Sequence, residues 1–249
     1  MKFALLSDVG RIRKINEDYI AQLTVSPNLH LFLLADGMGG HKKGEVASRL
    51  AVTSIKKYFE KHVRELENIE AERDESAVFD FLKRSIVFSN TKVYKMSKRS
   101  ESMNDMGTTL VVMLVFFNKI IIANIGDSRA YLFKENELSQ ITIDNSYVQE
   151  LVNLGIITKE EAKTHAQKNM ITRAVGIEAH TEADFYELPV IKDTVVLMCS
   201  DGLSNMLDDD KLCDILNQFY SPGFACGKFV KEANLAGGYD NISVVCVYF

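Results

Sequence analysis

Cysteine, proline and net charge are all sparse in this chain, and each scarcity removes a class of protein. The four cysteines, Cys199, Cys213, Cys226 and Cys246, include no CxxC pair, and the opening residues MKFALLSDVG turn polar too soon for a signal peptide. Both features describe a reduced, cytoplasmic protein. The longest apolar run, TTLVVMLVFFN at 108–118, is too short to span a bilayer and has the β-branched and aromatic bias of a buried strand, so no membrane association is expected. A net charge of −5 leaves no electrostatic footprint for nucleic acid, and the basic runs at Lys42-Lys43 and Lys56-Lys57 read as solvated helix faces. Only three prolines occur, no Pro-rich or Gly/Ser-rich linker interrupts the chain, and no repeat is visible. At 249 residues and 47% hydrophobic content, one domain covering 1–249 with a sizeable core is the expectation.

Runs rich in Val, Ile, Leu and Phe recur at 2–7, 19–25, 29–35, 109–117, 119–125, 129–134, 194–200 and 242–248, with the length and composition of buried strands. The turn FNKI between two of them is short enough for a hairpin, which favours antiparallel pairing. Helical periodicity falls elsewhere. Over 44–66, Val46, Leu50, Ile55 and Phe59 lie close to one face, and over 76–97 Val78, Leu82, Ile86 and Val93 repeat the pattern. TKEE at 158–161 reads as a capping box with Thr158 as N-cap and Glu161 at N3. Amphipathic segments at 208–219 and 223–235 precede the last strand, and the acidic stretch ELENIEAERDES at 65–76 reads as an exposed helix connection. Strands and helices come in blocks, which predicts an α+β fold with helices covering antiparallel sheets.

Four of the strand-like runs carry an aspartate at one end: Asp36 in LFLLADG, Asp127 in IIIANIGDS, Asp201 in TVVLMCSDG and Asp240 in GGYDNISVVCV. Three follow their strands and one precedes its own, so antiparallel pairing can bring all four to one rim. Asp18, preceded by Glu17, opens another run in NEDYIAQL and extends the set. Turn chemistry explains any single Asp-Gly or Asp-Ser; it gives no reason for acids to follow so many buried strands. Carboxylates within ~4–6 Å repel one another by several kcal/mol at an effective dielectric of ~20, so the cluster calls for cations. Oxygen donors select Mg²⁺, Mn²⁺ or Ca²⁺, whereas zinc would call for His and Cys sets that are missing. With the Gly37 carbonyl beside it, Asp36 can bridge two ions in an arrangement suited to in-line phosphoryl displacement.

Arg13, in GRIRKINED, precedes the acidic pair by four or five residues and could bind a phosphate bidentately, although a solvated loop arginine is the simpler account of that residue alone. His41, in GMGGHKKGE, titrates near neutrality and could protonate a leaving oxygen; a lone loop histidine is more often a surface residue. The glycine-rich stretch lacks the order of a P-loop and has Lys42 where a third dinucleotide-binding glycine would stand. No cysteine-phosphatase or kinase catalytic signature is present.

Taken in order, SDVGRIRKINEDY, ADGMGGHKKGEVAS, MGTTLVV, ANIGDSRAYLF, ITRAVG, CSDGLSNML and GGYDNISVV resemble the motifs of the PP2C (PPM) family of metal-dependent protein serine/threonine phosphatases, in its compact bacterial form and from end to end. The resemblance implies a four-layer α-β-β-α sandwich of two antiparallel sheets flanked by helices. It implies a centre of two Mn²⁺ or Mg²⁺ ions, with Asp36 as bridging ligand, Gly37 as carbonyl ligand and Asp201 and Asp240 completing the set. Glu17 and Asp18 would hold water around the ions, Asp127 would share a third, weaker metal with Asp201, and Arg13 would bind the phosphate. The implied reaction is hydrolysis of phosphoserine and phosphothreonine by direct attack of a water bridging the two ions, on phosphorylated proteins that include a Ser/Thr kinase, by a monomer with a flap at about 145–172. The family's animal members place a histidine directly after the Asp-Gly, where Met38 stands here; His41 is the nearest replacement as general acid. At the flap, Asn145 replaces a frequent bacterial histidine and Ala166 a frequent proline. Two other readings use the same residues: a regulatory pseudophosphatase, and a metal-dependent hydrolase of small phosphate esters or nucleotides.

Overall fold

The computed structural model describes residues 1–39, 43–99, 103 and 105–249. Eleven strands in the described residues make two sheets in which every pairing is antiparallel. One contains β1 (Lys2–Asp8), β11 (Ile242–Tyr248), β10 (Val195–Cys199), β7 (Arg129–Lys134) and β8 (Glu137–Gln140), in that spatial order. The other runs β2 (Asp18–Ser26), β3 (Leu29–Met38), β5 (Leu110–Phe116), β6 (Lys119–Ile125) and β9 (Asp184–Pro189), with β4 (Gly107–Thr108) paired to the end of β3. The FNKI hairpin joins β5 and β6 with Phe116 opposite Lys119, and Phe117 takes a positive φ of 51° in the turn.

The two-residue period of a strand sorts the side chains into three apolar layers. In β3, Leu29, Leu31, Leu33 and Ala35 face the helices α1 (Lys43–Lys61), α2 (Val63–Glu72) and α3 (Glu75–Ser97), while Phe32 and Leu34 face the opposite sheet. In β10, Val196 and Met198 meet them across the sandwich. Val195, Leu197 and Cys199 of the same strand turn outward under α6 (Asp201–Ser204), α7 (Asp209–Gln218) and α8 (Pro222–Leu235). The central strands are covered on both faces, so they read as continuous hydrophobic runs. Each fully buried Leu, Val or Phe in these layers contributes ~1.5–3 kcal/mol. The expected four-layer α-β-β-α sandwich is the observed architecture.

Three sequence expectations change. The helix read over 44–66 is two helices, broken at His62 (φ −109°, ψ 29°), whose ring Nδ1 bonds the Tyr58 carbonyl at 2.8 Å. The acidic stretch read as an exposed connection is helical to Glu72 and buries Leu66 and Ile69; the connection shrinks to Arg73, in the left-handed region, and Asp74, whose side chain caps α3. The strands β4, β8 and β9 are additions, being too short or too exposed to stand out as apolar runs. The capping box forms as read, with both Thr158–Glu161 bonds present at the start of α5 (Lys159–Thr164), which follows α4 (Tyr147–Asn153).

Candidate active site

The apolar layer between the sheets ends in carboxylates and hydroxyls. Phe32 and Leu34 are followed on the same face of β3 by Asp36, and β2 sets Asp18 directly opposite Asp36. Across the sandwich, Ser200 follows Val196 and Met198 on the inner face, and Ser243 precedes Val245 and Val247. Each strand carries its inward stripe one step past the hydrophobic core, and the step is polar. Two acids facing each other on neighbouring strands repel, so this end of the layer works against folding unless something compensates.

Neighbouring turns hold the cluster. The Ser200 hydroxyl donates to Asp18 Oδ2 at 2.8 Å, and Ser243 N–H donates to Ser200 Oγ at 3.0 Å. Asp36 N–H donates to Thr109 Oγ1 at 2.9 Å, and Thr109 Oγ1 lies 2.7 Å from Ser128 Oγ. That chain couples Asp36 to the turn that carries Asp127. Asp201 heads α6, where Asn205 Nδ2 donates to its Oδ2 at 3.0 Å. Asp240 Oδ1 accepts from Asn241 N–H at 2.8 Å, and its Oδ2 accepts from Arg13 Nη2 at 2.8 Å. Glu17 enters through its backbone, accepting from Gly37 N–H at 3.1 Å. Gly37 and Gly44 touch backbone to backbone; a Cβ on Gly44 would sit 2.6 Å from the Gly37 carbonyl oxygen and 2.8 Å from Glu17 Oε1.

Burial dominates the electrostatics. It pushes the Asp18 carboxyl up to about 7, against the lowering effect of the Ser243 and Ser200 hydroxyls, with Asp201 and Asp240 adding repulsion. Burial likewise raises Asp127 to about 8, reinforced by Asp201 and Asp144. Asp36 stands well above the ordinary carboxylate range through burial and then the charges of Asp18, Asp201, Asp127 and Asp240. Asp201 is raised by burial and by Asp240, and lowered by a hydrogen bond from Asp36. Two oxygens, Asp18 Oδ1 and Asp201 Oδ1, are buried with no hydrogen-bond partner. Among the described residues no three of these groups are already posed around one point as a coordination shell; Arg13 instead pairs with Asp240.

The structure therefore brings Asp18, Asp36, Asp127, Asp201 and Asp240 within electrostatic reach of one another, with Arg13 above them and Glu17 and Gly37 alongside. His41 lies outside the described residues. Sequence reasoning missed the supporting residues. Asn241, 4% exposed, accepts from Glu17 N–H at 2.8 Å and donates to the Val9 and Ile15 carbonyls at 3.0 Å each, so it straps the Arg13 loop to the start of β11. Arg129 pairs bidentately with Asp144 through Nε (2.9 Å to Oδ1) and Nη2 (2.7 Å to Oδ2), beside Asp127. Ser200 and Asn241 stand next to the aspartates that were read, in CSDG and YDNIS; that adjacency was their only signal.

With this geometry described, comparison with known proteins gives one consistent result. The family model described as Protein phosphatase 2C matches residues 12–234. The serine/threonine phosphatase stp of Listeria welshimeri is 37% identical over 241 residues, covering 97% of this chain and 93% of the relative. The solved serine/threonine phosphatase of S. agalactiae superposes with a TM-score of 0.90 at 34% identity, covering 99% of this chain and 98% of that one. The catalytic domain of the phosphatase PstP, solved in complex with 2 manganese ions, matches at a TM-score of 0.82 and 31% identity over 98% of this chain and 96% of that one. A model match over most of the chain, relatives above 30% identity along nearly their whole length and a shared α-β-β-α sandwich agree: the chain belongs to the protein phosphatase 2C family and is an enzyme of the serine/threonine phosphatase class.

Proposed function

We propose that the chain is a manganese- or magnesium-dependent phosphatase that removes phosphate from phosphoserine and phosphothreonine in proteins, a cognate Ser/Thr kinase among them. The observation that carries this reading is the set of carboxylates clustered at the end of the inter-sheet layer, two of whose oxygens are buried with no partner. The residues fit a divalent metal centre: the donors are all oxygens, they repel one another, and Asp18 and Asp127 are buried away from water. Asp36, the Gly37 carbonyl, Asp201 and Asp240 would hold two ions, Glu17 and Asp18 would orient water around them, and Asp127 with Asp201 would take a third, weaker one. Bound divalent ions supply the missing positive charge, clamp phosphate oxygens and lower the pKa of a water to the point where it can act as nucleophile.

The other steps belong to the chain. Arg13 is half exposed above Asp240 and presents a planar fork to the incoming phosphate, exchanging part of its pairing with the carboxylate for the substrate. Asn241 and the Arg11 N–H bond to the Gly238 carbonyl, 2.7 Å, keep that loop in place. Met38 carries no proton, so His41 is assigned the leaving-group proton. Residues 145–172 would act as the flap: an isolated bridge between Ser146 and Ile171 closes the segment, and Asn145 anchors it to the turn before Asp127 through Gly126 at 2.8 and 2.9 Å. All four cysteines are free, which suits a reducing cytoplasm. No helix among the described residues is long and apolar enough to cross a membrane. We take the working unit to be the monomer, because the clustered acids and Arg13 all come from one chain.

Hydrolysis of a phosphothreonine peptide with and without Mn²⁺, by wild type, Asp36→Asn and Asp201→Asn, tests the reading. Turnover should require metal and fall by orders of magnitude in both variants. Activity that survives chelation, or that Asp36→Asn leaves intact, rules the mechanism out; a preference for nucleotides over the peptide overturns the substrate class alone.

A further inference from the structure

We propose that Asn145 is the positioning residue for Asp127, fixing that carboxylate from the root of the flap. This inference rests on the assignment of Asp127 to a third, weaker metal ion made above, and adds to it the residue that decides how firmly the ion is held. Asn145 is 7% exposed, and all its polar groups are engaged. Its backbone N–H donates to the Gly126 carbonyl at 2.8 Å, and its Oδ1 accepts from Gly126 N–H at 2.9 Å. Its Nδ2 donates to Asp184 Oδ2 at 2.8 Å, and its carbonyl accepts from Thr172 N–H at 2.8 Å. One residue therefore joins the turn before Asp127, strand β9 and both ends of the flap.

The grip matters because Asp127 is placed by its two neighbours. On one side Ser128 Oγ lies 2.7 Å from Thr109 Oγ1, which accepts from Asp36 N–H, so the sandwich fixes that flank. On the other side stands Gly126, with a φ of 106° that suits glycine and a Cβ position only 2.7 Å from Thr109 Cγ2. Glycine is the most permissive residue of this frame, and Asn145 holds both its N–H and its carbonyl. An amide suits the place because it accepts with one atom and donates with the other; an aspartate would keep the Gly126 bond and set its second oxygen against the Asp184 carboxylate. Asp184 is itself pinned, its Oδ1 accepting from Arg173 Nη1 at 2.9 Å. The flap's ends run side by side through Tyr147 N–H to the Met170 carbonyl at 2.8 Å and the Ser146–Ile171 bridge. Ile171, Thr172 and Arg173 line, together with Met38, a cleft of about 110 Å³, and Met38 is two residues from Asp36. A substrate entering that cleft meets the backbone that bonds Asn145, so its contact with the flap reaches Asp127 through one residue.

Calorimetric titration of the metal-stripped protein with Mn²⁺ tests the proposal without relying on turnover. Wild type should bind its tighter ions and one weaker ion, and Asp127→Ala should abolish the weaker one. Asn145→Ala should weaken that ion alone by ~10-fold or more, the usual cost of removing a partner that orients a metal ligand. Asn145→Asp should do the same, and adding Asp184→Asn should recover most of the lost affinity, because donor and acceptor have then only changed sides. Hydrogen exchange gives a second readout: Mn²⁺ at the weaker site should slow exchange of the Tyr147 and Thr172 amides in wild type and in the double variant, but not in Asn145→Ala. If Asn145→Ala does not fold, the comparison of Asn145→Asp with the double variant decides alone. The proposal is overturned if Asn145→Ala leaves the weaker ion untouched, if it weakens every ion equally, or if the double variant recovers nothing. Absence from wild type of any weaker ion that depends on Asp127 would overturn the third-metal assignment beneath it, and the proposal with it.

Discussion

Asn241→Ala removes three hydrogen bonds with one substitution, and its consequences can be worked through bond by bond. The side chain accepts from Glu17 N–H at 2.8 Å and donates to the Val9 and Ile15 carbonyls at 3.0 Å each. A typical intramolecular hydrogen bond contributes ~0.5–1.5 kcal/mol net. The side chain is 4% exposed, so water reaches the abandoned groups poorly. The expected loss is ~2–4 kcal/mol of folding stability, measured as a shift in urea midpoint at unchanged slope. The second consequence is functional. Once the loop is released, Arg13 no longer sits over Asp240 at fixed geometry, so Arg13→Ala should cost much less in kcat/KM in the Asn241→Ala background than in wild type. Asn241→Asp has nearly the same shape but loses both donated bonds and adds another acid to the cluster, and it should be at least as damaging. A stability change below ~0.5 kcal/mol together with an undiminished Arg13→Ala effect would show that the strap has no such role.

Metal-free protein should lose stability as pH rises. Burial lifts Asp18 to about 7 and Asp127 to about 8, while both titrate near ~3.9 when unfolded. Across that window the folded state holds more protons than the unfolded state, so the thermal midpoint in chelator should drop between pH 5 and pH 8, and saturating Mn²⁺ should offset the drop; a midpoint that climbs over this range contradicts the assignment. Leaving-group chemistry probes His41: His41→Gln should slow hydrolysis of a phosphothreonine peptide by ~10²-fold or more, within the usual range for general acid catalysis. The same variant should barely affect p-nitrophenyl phosphate, whose weakly basic leaving group needs no proton. Equal losses on both substrates would remove His41 from that role.

The fold was legible because its central strands are covered twice. β3, β5, β6, β10 and β11 lie between a helical layer and the other sheet, so nearly every side chain in them is apolar and the runs stand out. Edge strands carry no such mark. β8 and β9 hold only exposed and half-buried positions, and β4 is two residues long, so pairing partners rather than composition make them strands. The break at His62 was hidden because helical periodicity runs through it on both sides. In the site, the acids were legible by their repeated position at strand ends. Their hydroxyl and amide supports were not, since Ser200, Thr109 and Asn241 look like ordinary turn residues until the two sheets meet.

The one-dimensional pattern determined which segments become buried strands, that these pair antiparallel, and that aspartates fall where the strands run out, because hydrophobic burial acts on local composition and period. Folding in three dimensions decided that Asp18 faces Asp36, that Ser200 comes from the opposite sheet to meet Asp18, and that Arg13 reaches Asp240 across 227 positions of chain. Those relations set the raised carboxyl pKa values and the unpartnered oxygens, since desolvation and repulsion depend on distance in space and not along the sequence.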